Sequence, residues 1–111
     1  MEKKRALAAF GALSQETRLD IFRRLIRAYP KAVSAGDLAA DLDIPASTLS
    51  THLAILSRAN LVTAERQGRT ILYAADTAGA KELLTYLIKD CCGGKPELCR
   101  PLLDAAMPSC C

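Results

Sequence analysis

Cys91 and Cys92 stand side by side, Gly93 and Gly94 follow, and Cys99 comes after Lys95, Pro96, Glu97 and Leu98. Two adjacent thiols and a third one short loop away can converge on one soft ion. Sulfur binds as thiolate, and thiolates select thiophilic centres over magnesium or calcium. Neighbouring side chains on an α-helix diverge by about 100° at 3.6 residues per turn, so Cys91 and Cys92 cannot chelate together inside a regular helix. Gly93 and Gly94 are placed to end one, since glycine readily takes the left-handed conformation past a last turn. Pro96 keeps its predecessor out of helical geometry and lets the loop swing Cys99 back. The competing reading is a helix that frays into a tail with idle cysteines. A further pair, Cys110 and Cys111, stands farther on.

These five are all the cysteines in 111 residues, so everything before residue 91 is free of thiols. The length corresponds to one domain. Hydrophobic residues make up 50% and charged residues 24%, which fits a folded globular protein. A net charge of +3 permits nucleic-acid binding without arguing for it. No run approaches the roughly 20 apolar residues of a membrane span. Met1-Glu2-Lys3-Lys4-Arg5 leads into a short amphipathic stretch rather than a cleavable signal. The expected location is therefore cytoplasmic, where clustered cysteines bind metals or react more often than they form structural disulfides.

The scaffold around the thiols can be read from periodicity. Residues 4–12 read as a short helix with Leu7 and Phe10 on one face. Ser14 is an N-cap candidate for a second helix that buries Leu19, Phe22, Leu25, Ile26 and Tyr29 and stops at Pro30. Ser34 and Asp37 resemble a capping box opening a short helix to Leu42. Asp43-Ile44-Pro45 is a tight break, and residues 46–59 form the next helix with Leu49, Leu53 and Leu56 buried. Beyond Asn60 the period changes to two: Val62 to Arg66, a turn at Gln67-Gly68, and Arg69 to Ala74 read as a β-hairpin. Asp76 caps a last helix over 77–90, apolar around more of its circumference than one contact face requires, which suggests a partner subunit. The expected division is a body over 1–90 and a cysteine-containing tail over 91–111, ordered at most in part.

Two helices joined by a tight break and followed by a hairpin form the pattern of a winged helix-turn-helix, mainly α with a small β-hairpin. The second helix of such a pair enters the major groove of DNA. With Leu49, Leu53 and Leu56 turned inward, Ser47, Thr51, Ala54 and Arg58 face outward, flanked by Thr48 and Ser50. Small hydroxyl residues beside alanine let a helix sit deep and bond base edges or phosphates. No carboxylate occurs over residues 44–64, so nothing there repels phosphate. Arg66 and Arg69 at the hairpin tip offer two guanidiniums for the DNA backbone. His52, the single histidine, lies beside the apolar stripe, suited to packing or a phosphate contact rather than metal ligation.

The run from Ser47 to Val62, the segment from Arg66 to Tyr73 and the segment from Leu13 to Leu19 resemble the ArsR/SmtB family of winged-helix metalloregulators. The resemblance covers residues 4–90. It implies a homodimer paired through its first and last helices, placing Leu7, Phe10, Leu83, Leu84 and Leu87 at the interface. It further implies a palindromic double-stranded operator, released when a metal or metalloid binds. Relatives of the Cys-Val-Cys type carry their arsenic site on the helix before the recognition helix, and here residues 34–42 have no cysteine. Zinc-sensing relatives use histidine and carboxylates on the last helix, and residues 77–90 have no histidine. Cys91, Cys92 and Cys99 look like the arsenite-responsive subgroup with a vicinal pair and a third cysteine. Trivalent arsenic takes three thiolates in a pyramid, whereas structural zinc takes four ligands. Cys110 and Cys111 depart from that pattern: they could form a second soft-ion site, an alternative pair for methylarsenite, an ion-collecting end, or a dispensable one.

The expectation is an arsenite-responsive transcriptional repressor, not an enzyme, with antimonite and methylarsenite as related effectors. A thiol-redox switch joining Cys91 or Cys92 to Cys99 and a cadmium or lead sensor using four cysteines are the rivals among regulators. A small thiol oxidoreductase is the rival from another class, disfavoured because no Cys-x-x-Cys motif occurs.

Overall fold

The computed structural model describes residues 1–91 and 95–107, apart from the side chains of residues 90 and 91. Helix α1 (Lys3–Leu13) buries Ala6, Ala9 and Ala12, a row of small side chains that lets it lie close to the body. Ser14 closes α1 by donating its N–H to the Gly11 carbonyl. It is therefore not the cap of α2 (Glu16–Ala28). With so short a link between the helices that role falls to Gln15, whose side chain accepts from the Arg18 N–H at 2.8 Å. The buried residues of α2 are Ile21 and Leu25. Leu19, Ile26 and Tyr29, expected inside, are exposed. At 100° per residue Leu19 and Ile26 fall well over a right angle from Ile21, so the apolar residues of α2 form two faces rather than one stripe.

Val33–Ser34 forms a short strand β1 that was not expected; its residues double as the entry to α3 (Ala35–Leu42). The Ser34 side chain accepts the Asp37 N–H at 3.1 Å, as a capping serine should. Asp43 ends α3 in the left-handed region, with φ 53°, which aspartate tolerates better than most side chains. Helix α4 (Ala46–Arg58) comes next, with Leu49, Leu53 and Leu56 buried. Asn60, at φ 61°, turns the chain into β2 (Val62–Gln67), which pairs antiparallel with β3 (Thr70–Ala75) from Val62↔Ala75 to Gln67↔Thr70. Strand β1 adds to the other edge of β3 through Val33↔Tyr73, giving the order β1-β3-β2.

Asp76 caps α5 (Thr77–Thr85) by accepting the Gly79 N–H at 3.0 Å. The last helix does not stay α-helical to residue 90: Tyr86–Cys91 is a π-helical turn, a change of winding that no residue type in the stretch signals. Within the expected tail, Pro96–Ala106 forms an amphipathic helix α6, opened by Pro96 at its first turn and buried at no position. The core is aliphatic throughout, and no polar or charged residue is buried among the described residues. None of the described helices is long and apolar enough to cross a membrane.

Gly79 shows how tightly α5 is seated. A Cβ there would overlap the Asn60 carbonyl oxygen, with the Asn60 carbonyl carbon at 2.9 Å. Both groups are backbone and cannot swing aside. Gly79→Ala should destabilise the fold by about 3 kcal/mol, read from the midpoint of urea unfolding. Gly36→Ala, where the nearest atom is Ser34 Oγ at 4.0 Å, should be neutral or stabilising by about 0.5 kcal/mol.

Candidate nucleic-acid interface and thiol site

The inward leucines of α4 set its outward face. Ser47, Thr48, Ser50, Thr51, Ala54 and Arg58 are all exposed. Two of these side chains rest on their own helix: Thr51 Oγ1 donates to the Ser47 carbonyl at 3.2 Å, and Arg58 Nε donates to the Ala54 carbonyl at 3.3 Å. Both bonds are exposed and exchange readily for a partner, so the polar groups are available to DNA. His52 is half-buried, and its Nδ1 lies 3.4 Å from an Arg18 guanidinium nitrogen. Sequence reading placed His52 beside the stripe but gave no hint of Arg18, because the two residues meet across the fold.

The hairpin tip is formed by Gly68 and Arg69, between Gln67 and Thr70. Arg69 is thus part of the turn rather than the first residue of a strand. Gly68 takes φ +64°, the positive value a two-residue hairpin loop requires at its first position. Arg66 and Arg69 are exposed. A groove of about 540 Å³ brings the tip and the helix together, lined by Ser50 of α4, Arg69 and Thr70 of the wing, and Ser34 and Gly36 at the start of α3. Hydroxyls, a guanidinium and an uncharged helix face around one groove suit a phosphate backbone with base edges beyond it.

Among the expected dimer residues, Leu7, Phe10, Leu84 and Leu87 are 62%, 36%, 59% and 42% exposed. Leu83 is only 6% exposed: it belongs to the protomer's own core, one residue round the helix from the open face. An exposed ion pair between Arg5 of α1 and Glu82 of α5, at 3.4 Å, links the two helices that carry these residues.

Cys99 is half-buried on α6, and its Sγ lies 3.6 Å from the carbonyl of Ile88, inside the π-helical turn that runs to Cys91. The third cysteine therefore does return to the end of α5. The side chain of Cys91, and Cys92, Cys110 and Cys111 entirely, lie outside the described residues. No group of three metal-ligating side chains occurs among the described residues. The one histidine, on α4, stands against Arg18. Near Cys99 the chain offers thiol sulfur together with the carboxylates Glu97 and Asp104 of α6, and of these donors the thiolates suit a thiophilic centre.

A helix pair with an aliphatic inner side, a basic hairpin wing and a three-stranded sheet define a winged helix-turn-helix protein that binds DNA. Residues 13–65 match the family described as a helix-turn-helix domain. The transcriptional activator HlyU of Vibrio cholerae is 32% identical over 89 residues, covering 78% of this chain and 80% of HlyU. The structure of reduced HlyU from Vibrio cholerae aligns with TM-score 0.62 and 29% identity over 78% of this chain and 87% of that one. An ArsR-like transcriptional regulator from Rhodococcus sp. RHA1 aligns with TM-score 0.70 and 28% identity over 96% and 93%. The chain belongs to the ArsR/HlyU type of winged-helix transcriptional regulators.

Arg69→Ala should weaken DNA binding nearly evenly across sequences and flatten the salt dependence by about one unit, as for one lost phosphate contact. Thr51→Ala should instead erode discrimination between duplexes, by about 1 kcal/mol at the base pair it reads. Titrations of random and selected duplexes at several salt concentrations separate the two effects.

Proposed function

We propose that this regulator is an arsenite-responsive repressor: a cytoplasmic homodimer that occupies double-stranded operator DNA and leaves it when Cys91, Cys92 and Cys99 bind trivalent arsenic. The observation that carries the reading is the return of Cys99 to the Ile88 carbonyl, in the turn from which Cys91 and Cys92 follow. Trivalent arsenic, when bound, accepts three thiolates in a pyramid and needs no histidine.

The coupling runs through α5. Its exposed Leu84 and Leu87, with Leu7 and Phe10 of α1, supply the apolar surface for a second copy of the chain. The π-helical turn continues that helix directly into the cysteine pair. Binding as a thiolate costs Cys99 the S–H it donates to the Ile88 carbonyl, and gathering the pair onto the same centre would rewind the end of α5. A change at the seam alters the spacing of the two α4 helices, and with it the fit to two half-sites. A coupling free energy of about 1–3 kcal/mol is typical of such linkage and corresponds to a roughly 5–150-fold loss of affinity. Antimonite and methylarsenite share the thiol chemistry and are proposed as weaker or alternative effectors, with Cys110 and Cys111 as auxiliary thiols.

A second reading has its own support: a relative is described in a reduced form. In it, Cys99 and Cys91 or Cys92 form a disulfide, two thiols losing two electrons and two protons to an oxidant such as a peroxide. Arsenite added to reduced protein without air distinguishes the readings, since only the first gives operator release under those conditions.

Two outcomes test the proposal. Leu84→Glu and Leu87→Glu each place an unpaired charge in the seam, at a cost of several kcal/mol, and should give monomers that no longer hold the operator in light scattering and binding assays. Cys99→Ser should fold and bind operator like the wild type, yet need at least about tenfold more arsenite for release, because a three-legged centre has lost a leg. A wild-type arsenite response in Cys99→Ser would refute the three-cysteine site.

A further inference from the structure

Arg18 stands in the first turn of α2, half-buried, and its guanidinium reaches three groups on two other helices. Nε donates to the Ala12 carbonyl at 2.7 Å, and Nη2 to the Gly11 carbonyl at 3.5 Å. Nη1 lies 3.4 Å from Nδ1 of His52. The two carbonyls belong to the last turn of α1, where intrahelical donors run out; the Gly11 carbonyl also accepts the Ser14 N–H. Arginine offers donors only, so the contact is a hydrogen bond in the tautomer that leaves Nδ1 of His52 unprotonated. One side chain thus ties the end of α1 to the middle of the helix that reads DNA.

The apolar contacts of α4 leave a task for that tie. Leu49, Leu53 and Leu56 seat the helix against the core, but burial of aliphatic surface is non-directional. A helix held by leucines alone can slide or roll by fractions of an ångström at little cost. A planar fork with its bonds fixed in direction resists both motions. Base readout needs that precision, whereas contact with the phosphate backbone does not.

We propose that Arg18 is a positioning residue for sequence readout, acting through His52 to fix the rotation and axial position of α4. The inference rests on α4 being the reading helix and is independent of the effector. If that premise were wrong, Thr51→Ala on the outward face of α4 would leave the sequence preference intact.

The test uses the full chain, a duplex that the wild type selects from a random library, and an unselected duplex. Arg18→Met and His52→Leu should each weaken binding to the selected duplex by about tenfold, within the range expected for disturbed base contacts. Binding to the unselected duplex should stay within about twofold, and the salt slope should be unchanged, since no phosphate contact is lost. The double variant should be no weaker than either single one, because both remove the same link. Should Arg18→Met melt before it can be assayed, Arg18→Lys replaces it. Lysine keeps the charge but lacks the fork, so the same selective loss is expected. Wild-type affinity for the selected duplex in Arg18→Met or Arg18→Lys, a salt slope reduced by about one unit in Arg18→Met, or multiplying losses in the double variant would overturn the proposal. The first would leave Arg18 without a positioning role, the second would mark it as a plain phosphate contact, and the third would make His52 an independent one.

Discussion

Burial of Leu49, Leu53 and Leu56 on one side of α4 is the constraint on which the rest of the reading head depends. Because a helix turns by a fixed angle per residue, those three positions force the hydroxyl-bearing residues to the opposite side. The same packing sets the path of the chain beyond α4. Leu61 and Val62 are buried immediately after the helix, so β2 starts against the core and the wing projects from there. Asp76 donates its N–H to the Leu61 carbonyl at 2.9 Å, and α5 then crosses the Asn60 backbone at Gly79. Helix, wing and the start of α5 thus share one anchor around residues 56–62.

Much of this arrangement was legible in the sequence because it depends on local signals. The stripe of α4, the break at Asp43-Ile44-Pro45, the capping by Ser34 and Asp76 and the hairpin glycine each act within a few residues. What sequence reading missed depends on contacts between distant parts. Strand β1 exists only because β3 presents an edge to Val33 and Ser34. Ile21 replaces Leu19 and Ile26 in the core because α2 packs by the face its neighbours need, and its own apolar residues offered two faces. Leu83 and Leu84 are adjacent and equally apolar, yet one is in the core and the other faces out, a distinction set by how α5 crosses Asn60. Arg18 meeting His52 joins residues on different helices, and no spacing rule announces it.

The candidate thiol site shows the same division. The thiol cluster was visible from residue types alone, and so was its chemical softness. The route by which Cys99 returns was not, because it runs through a helix whose proline at position 101 and largely exposed surface argue for loose structure. Its amphipathic composition favours a helix nonetheless, and the π-helical turn below it provides a carbonyl for the Cys99 sulfur to meet. An i→i+5 turn is an irregularity that sequence periodicity averages away.

Because α6 buries none of its residues, the core does not constrain it. Its side chains can be exchanged, lengthened or removed while the leucines around α4 remain packed, so variation there carries almost no folding penalty. The body before residue 91 contains no thiol, so a soft electrophile finds no cysteine there to modify. Reactivity and durability are thereby separated along the chain: the thiols are confined to the end on which the described core does not depend.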